Sequence, residues 1–209
     1  MGYKQNQRKD KSLNKLLIAT NNKGKVIEFQ DLLGEFGIDF VTPAQIGLDL
    51  KVEEDGLTYE ENAGKKAIAF AQASGLIALA DDSGLEVDAL NGAPGLYSAR
   101  YSPKPGANDT DRCTFLLENL KDKPRPWTAH FHATIAVAKP LGEIEFADGN
   151  CYGEIIPERR GTGGFGYDPI FLITEIGKTM AEIDEKNRIS HRARAVKAAM
   201  PILKKLLGL

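Results

Sequence analysis

Two adjacent carboxylates, Asp81 and Asp82, directly follow the apolar run 76–80 and precede Ser83-Gly84. An apolar run that ends at a turn reads as a short buried strand. The spacing therefore predicts a strand over 76–80 with the carboxylates at its C-terminal end, the edge where open α/β sheets bind ligands. Successive strand residues point to opposite faces, so one carboxylate can face a cleft while the other ties down backbone amides. Oxygen-only ligands at such a mouth suit Mg²⁺ better than zinc. An acidic turn has the same local pattern, and the four residues alone do not separate the two. Glu53, Glu54 and Asp55 stand just ahead of a second helix. They complement that helix's dipole, or one of them is a second oxygen ligand for a cation at Asp82.

Three further stretches offer chemistry of a matching kind. The run 15–20 reads as the first strand and empties into Asn21-Asn22-Lys23-Gly24-Lys25. A helix follows, with Val26, Phe29, Leu32 or Leu33, and Phe36 at helical spacing and Gly37 as its stop. This order puts the turn's amides and Lys25 at a helix N-terminus, where phosphate is favoured. The GxxxxGK[ST] loop is absent, and an ordinary βα turn has the same spacing. Further on, 161–166 spells GxGxxG, but Pro169 and an apolar strand follow where the dinucleotide fingerprint needs a helix, so that reading is rejected. The loop instead presents Phe165 and Tyr167, which either stack on a planar base, a contact of ~1–3 kcal/mol in single-strand binders, or pack inward. Finally, Lys186, His191 and Arg192 surround the start of the last helix, capped by Ser190, and either attract anions there or are solvated charges.

These groups need elements to hold them. A chain of 209 residues with 42% hydrophobic and 27% charged residues suits one α/β unit in two lobes around a cleft. The net charge of −2 argues against broad binding to nucleic acid. Cys113 and Cys151 are too few for a disulfide framework, and no apolar run approaches a membrane span. Residues 1–14 are polar without the apolar core of a signal peptide, which leads us to expect a cytoplasmic protein with a loosely held tail before a single domain over 15–209. A short strand is expected over 38–41. The next helix opens with a capping box, Thr58 with Glu61, and runs to Gly75. A third helix covers 109–120 with Cys113 as a small core residue. The stretch 127–137 alternates apolar and polar, and Lys139-Pro140-Leu141-Gly142 turns it into a second strand, a long hairpin suited to a second lobe or a dimer surface. His130 and His132 share one face, but no third nitrogen or sulfur ligand is spaced to join them, so they read as surface histidines. Thr179 and Glu182 form another capping box, and Pro201 predicts a kink or break in the last helix.

The motifs, in order, resemble the inosine triphosphate pyrophosphatase family, also called Ham1-like. The matching residues are Ala19-Thr20-Asn21-Asn22-Lys23-Gly24-Lys25, Ala80-Asp81-Asp82-Ser83-Gly84-Leu85, Gly92-Ala93-Pro94-Gly95 with Tyr97-Ser98-Ala99-Arg100-Tyr101-Ser102, the residues from Gly163 to Phe171, and Ile189-Ser190-His191-Arg192. The likeness spans 16–207; Asn21 stands where bacterial relatives commonly have glycine. It implies an elongated mixed β-sheet with flanking helices, a homodimer, and Mg²⁺-dependent hydrolysis of ITP, dITP and XTP to the monophosphate and pyrophosphate. It further implies Asp82 as general base and metal ligand, with Glu53 or Glu54 as its acidic partner; the likeness does not choose between these two. Residues Thr20, Asn21, Asn22, Lys23, Gly24 and Lys25 would hold phosphates, and Ser83 would contact substrate. Phe165, Gly166, Tyr167 and Asp168 would contact the nucleotide, with Phe165 stacking on the base and Lys186, His191 and Arg192 completing the pocket. The rival readings are a Maf-like enzyme for modified pyrimidine triphosphates and a nucleotide-binding regulator without turnover.

Overall fold

The first strand, β1 (Leu16–Ile18), leads through α1 (Lys23–Gly34), β2 (Phe40–Val41) and α2 (Tyr59–Ser74) to β3 (Ile77–Val87) in the computed structural model, which describes residues 15–185 and 188–209. There follow α3 (Asp109–Leu120), the hairpin β4 (Trp127–Ala138) and β5 (Ile144–Ile155), the short strands β6 (Phe171–Ile173) and β7 (Lys178–Thr179), and α4 (His191–Leu207). Among the described residues the seven strands form one mixed sheet in the order β2-β1-β3-β4-β5-β6-β7. β1 pairs parallel with β2 and β3, and every other pairing is antiparallel. The expected tail, 1–14, lies outside the described residues.

The strand bearing the aspartates does not stop at Ala80, as the apolar run suggested. Its parallel neighbour does stop: β1 ends with Ile18 opposite Leu79. On the other side β4 keeps pairing, from Ala138 opposite Ala78 to Ala129 opposite Val87. Leu85 and Val87, both fully buried, supply the apolar alternation that carries β3 past its polar centre. Asp81 and Asp82 thus sit inside a strand, just where the parallel part of the sheet ends and a mouth opens.

The pleat sorts the core into layers. Odd-numbered Ile77 and Leu79 join Leu16, Ile18, Phe29, Leu33 and Val196 under α1 and α4. Even-numbered Ala78 and Ala80 join Ala136 and the α2 residues Ala63, Ala67 and Phe70. At the far end of β3, β4 and β5, a further cluster gathers Leu85, Val87, Leu116, Leu120, Phe131 and Phe171. The long strands therefore carry two packed lobes. Burying each Leu or Phe contributes roughly 1.5–3 kcal/mol relative to exposure.

Several local expectations need correction. α1 ends at Gly34 rather than Gly37, leaving Phe36 43% exposed and outside the core clusters. Thr58 caps α2 by accepting the Glu61 N–H (3.1 Å), but the Glu61 carboxylate reaches back to the Leu57 N–H rather than to that of Thr58. The box at Thr179 and Glu182 is complete, although it opens only a 3₁₀ turn. α4 continues across Pro201 without a break. Pro201 and Lys197, whose carbonyl loses its donor, both lie on the exposed side of α4, where water can replace that donor. One expectation holds: after the glycine-rich loop come a 3₁₀ turn, Asp168–Ile170, and then strand β6, as the rejection of the dinucleotide fingerprint requires.

Candidate active site

One cavity of about 780 Å³ lies in the cleft between the lobes, and Lys25, Asp82, Phe165 and Arg192 all line it. A second cavity of about 590 Å³ contains none of the candidate residues. Both faces of β3 contribute to the first, in different ways.

Asp81 faces α1 and α4. Its carboxylate accepts from Arg192 Nε (3.0 Å) and Nη2 (2.8 Å), and Lys25 Nζ lies 3.1 Å from the other oxygen. Arg192 also donates to Glu28 and, through Nη2, to Ser83 Oγ (3.0 Å). Burial alone would raise the Asp81 carboxyl, but the Arg192, Lys25 and Lys66 charges outweigh it and hold Asp81 well below the usual carboxylate range. The sequence suggested that one aspartate would tie down backbone amides. Asp81 instead takes two cations, the half-buried Lys25 and the buried Arg192, because α1 and α4 each place one beneath the sheet's mouth.

Asp82 faces α2. Asn62 Nδ2 donates to its Oδ2 (3.1 Å), and Lys66 Nζ lies 3.4 Å from its Oδ1. Lys66 also donates to the Asp81 backbone carbonyl (2.7 Å) and stands 3.4 Å from Glu54 Oε1. Its ammonium therefore lies within 3.4 Å of both carboxylates. Burial pushes the Asp82 carboxyl upward; Lys66 and Lys25 oppose this, and Glu54 adds to it. Asp82 is thus a buried anion with less compensation than its neighbour. Both glutamates are exposed, but Glu54 lines the cavity and Glu53 does not.

The phosphate-type turn is formed as its sequence suggests. Asn22 caps α1, accepting the Lys25 N–H (3.2 Å). Thr20, Asn21, Asn22, Gly24 and Lys25 line the cavity, while Lys23 is exposed and does not. Asn91 is the one non-glycine with positive φ among the described residues, so Asn21 needs no special backbone allowance where relatives have glycine. The Phe165 ring crosses from the other lobe and lies over Gly24; a Cβ there would meet Phe165 Cδ1 at 3.1 Å. Glycine lets the ring come this close without having to shift.

The loop behind that ring is anchored rather than loose. Asp168 accepts the Phe165 N–H (3.0 Å), Asp109 accepts the Gly166 N–H (2.7 Å), and Tyr167 donates its hydroxyl to the Ser98 carbonyl (2.8 Å). Phe165, Gly166, Tyr167 and Asp168 all line the cavity, but Tyr167 is 3% exposed and packs in the core, whereas Phe165 is half-buried. His191 stacks on Phe131 with ring centroids 4.8 Å apart and lines the cavity. Arg192 is 1% exposed, and its guanidinium is engaged in the wall rather than held free for a base edge. Lys186 lies outside the described residues.

This arrangement coincides with what comparison reveals. The chain matches the Ham1 family over residues 16–202. It belongs to that family. A Ham1 relative from Desulforamulus reducens named dITP/XTP pyrophosphatase is 51% identical over 195 residues, covering 92% of this chain and 96% of that protein. One of the same name from Desulfotalea psychrophila is 48% identical, covering 92% and 87%. Among solved structures, a HAM1 protein from Coxiella burnetii superposes with a TM-score of 0.82 at 40% identity, covering 92% of this chain and all of that one. The Staphylococcus aureus Ham1 protein gives 0.79 at 38%, covering 91% and 98%.

Within this Ham1 fold several residues received no role from the motif reading: Lys66, Glu28, Arg100, Asp109 and Arg112 in the cavity wall, and Asn62, which bonds Asp82. A signal existed for two of them. Asn62 and Lys66 are polar residues one turn apart on the stripe that Ala63, Ala67 and Phe70 mark as buried, and a polar group on such a stripe needs a partner beneath it. Arg100 acts through a contact distant in sequence, with the Glu54 carbonyl (3.3 Å), which no local pattern reveals. Arg112 pairs with Asp109 one turn earlier in α3 and also donates to the Ala107 (2.9 Å) and Ala99 (3.2 Å) carbonyls.

Proposed function

We propose that this chain hydrolyses the non-standard purine triphosphates ITP, dITP and XTP to the monophosphate and pyrophosphate, clearing them from the nucleotide pool. One observation carries the reading: a single cleft joins a helix-capped lysine turn, a paired acidic mouth and an aromatic ring facing that turn from the other lobe. The names of the family relatives, dITP/XTP pyrophosphatase, support it.

The donor set fits Mg²⁺. Asp82 and Glu54 offer oxygen ligands only, and the Lys66 ammonium beside both shows that the spot favours positive charge. Among the described residues no three His, Cys, Asp or Glu side chains form a ready cage, which suits an ion that takes one or two carboxylates together with substrate phosphates and water. When bound, Mg²⁺ would neutralise charge developing on the phosphates. In this reading Asp82 orients a water toward the α-phosphorus and accepts its proton as the P–O bond to the departing pyrophosphate breaks. Lys25 and the first-turn amides of α1 hold the phosphate charge. Phe165 stacks on the base, and His191 donates toward O6. Hypoxanthine and xanthine carry an acceptor there and adenine a donor, so adenine would leave donors facing each other.

The same reading includes a homodimer in the cytoplasm. It is supported by the family likeness, by the long β4–β5 hairpin and by a substrate class that is intracellular; no helix among the described residues is long and apolar enough to cross a membrane. Light scattering tests the dimer. A panel of triphosphates assayed for pyrophosphate, with and without Mg²⁺, tests the activity: ITP and XTP should far exceed ATP, and equal turnover of dUTP would overturn the purine assignment.

A further inference from the structure

We infer that Asn62 is a positioning residue: its side-chain amide sets the separation between Asp82 and the segment bearing Glu54, and so sets how tightly the two carboxylates hold a divalent cation. The inference rests on the proposed metal-assisted reaction. Asn62 lies in the first turn of α2 and is 2% exposed. Its Nδ2 donates to Asp82 Oδ2 (3.1 Å), and its Oδ1 accepts the Gly56 N–H (2.8 Å). The partners fix the amide's orientation, since a carboxylate only accepts and a backbone N–H only donates. One rigid planar group thus joins β3 to the stretch 53–56. Aspartate lacks the donor, leucine lacks both functions, and a longer amide would shift the spacing.

The fit on the segment side is tight. A Cβ at Gly56 would come within 2.6 Å of Asn62 Oδ1 and 2.9 Å of Glu61 Cβ, so glycine is required for this approach. The other ties on the segment are weaker. Arg100 donates to the Glu54 carbonyl at 3.3 Å and Lys65 pairs with Asp55 at 2.7 Å, both at exposed positions where such contacts contribute little. Lys66 also reaches Glu54, but with the ammonium an incoming cation would displace. Of the ties that remain when metal enters, the one through Asn62 comes from a buried side chain. Partners that orient metal ligands typically change affinity by about 10–100-fold when removed.

The test is a titration of the full chain with Mn²⁺ alone, followed by loss of the free-ion electron paramagnetic resonance signal, alongside pyrophosphate release from ITP against Mg²⁺ concentration. Asn62→Ala is expected to weaken Mn²⁺ binding about tenfold or more and to raise the Mg²⁺ needed for half-maximal turnover, with excess Mg²⁺ restoring most of the rate. Gly56→Ala, which displaces the same amide from the opposite side, should shift the titration in the same direction, and it carries the test if Asn62→Ala does not fold. Lys65→Ala, which loosens only the exposed pair, should bind Mn²⁺ like the wild type. Variants that melt earlier yet take up Mn²⁺ unchanged would overturn the inference, as would a wild-type chain that takes up none. A wild type that binds Mn²⁺ but releases no pyrophosphate from ITP would overturn the proposed function instead.

Discussion

Asp81 and Asp82 are chemically identical neighbours on one strand, yet the pleat gives them opposite situations. Asp81 turns toward α1 and α4 and meets Arg192 and Lys25, two cations that over-compensate its burial. Asp82 turns toward α2 and meets one ammonium, one amide and a second carboxylate, which together do not. One side chain ties α1 and α4 to β3; the other remains in need of positive charge. The difference teaches that a doubled acidic motif need not be a doubled ligand.

The comparison breaks most visibly in turnover. Asp82→Asn is expected to lower kcat by about 10²–10⁴-fold, the usual contribution of a positioned acid–base group, while nucleotide still binds; near-normal turnover would return Asp82 to a structural role. Asp81→Asn should instead act on stability, since it leaves the buried Arg192 and the half-buried Lys25 without their shared anion, a loss of about 3–5 kcal/mol for a broken buried pair. Chemical denaturation in chelator measures it.

The pH dependence sharpens the contrast, because the signs differ. Asp81 has a depressed carboxyl in the folded state, so its stabilisation is present above the unfolded value of about 3.9 and is lost as pH falls through the lower folded value. Asp82 has a raised carboxyl, so its ionised form costs stability above the folded value, and that cost is relieved as pH falls. In chelator at pH 7, Asp82→Asn should therefore be neutral or stabilising, with the gain shrinking toward pH 4. A destabilised Asp82→Asn at neutral pH would show that its bonds to Asn62 and Lys66 outweigh desolvation.

Much of this was legible before any coordinates, and the reason is local. Thr58 and Ser190 cap the helices they precede because a side-chain oxygen beside free N–H groups needs no distant partner. The aspartates' opposite faces follow from the period of a strand. What stayed hidden depends on contacts far apart in the chain. The length of β3 is set by β4, some fifty residues on. That Glu54 rather than Glu53 lines the cavity goes with its contacts to Lys66 and Arg100, and the burial of Arg192 depends on Glu28 and Asp81, 164 and 111 residues away. Nothing in the local pattern of Phe165 and Tyr167 says which ring faces out.

That last pair extends the comparison to the other lobe, and it yields the smaller effects. Phe165→Ala should weaken purine triphosphate binding by about 1–3 kcal/mol through lost stacking, seen as a raised KM across purine bases with little change in kcat. Tyr167→Phe should do the reverse. It keeps the buried ring and removes only the hydroxyl that donates to the Ser98 carbonyl at 2.8 Å. A lost neutral hydrogen bond of this kind costs about 0.5–1.5 kcal/mol, so the variant should unfold slightly earlier in denaturant while its KM for ITP stays at the wild-type value. Because Ser98 also accepts the Leu85 N–H at 2.9 Å and donates to the Gly95 carbonyl at 2.6 Å, it stays fixed without Tyr167. Any change in KM would then mean that the Tyr167 hydroxyl sets the position of the neighbouring Phe165 ring.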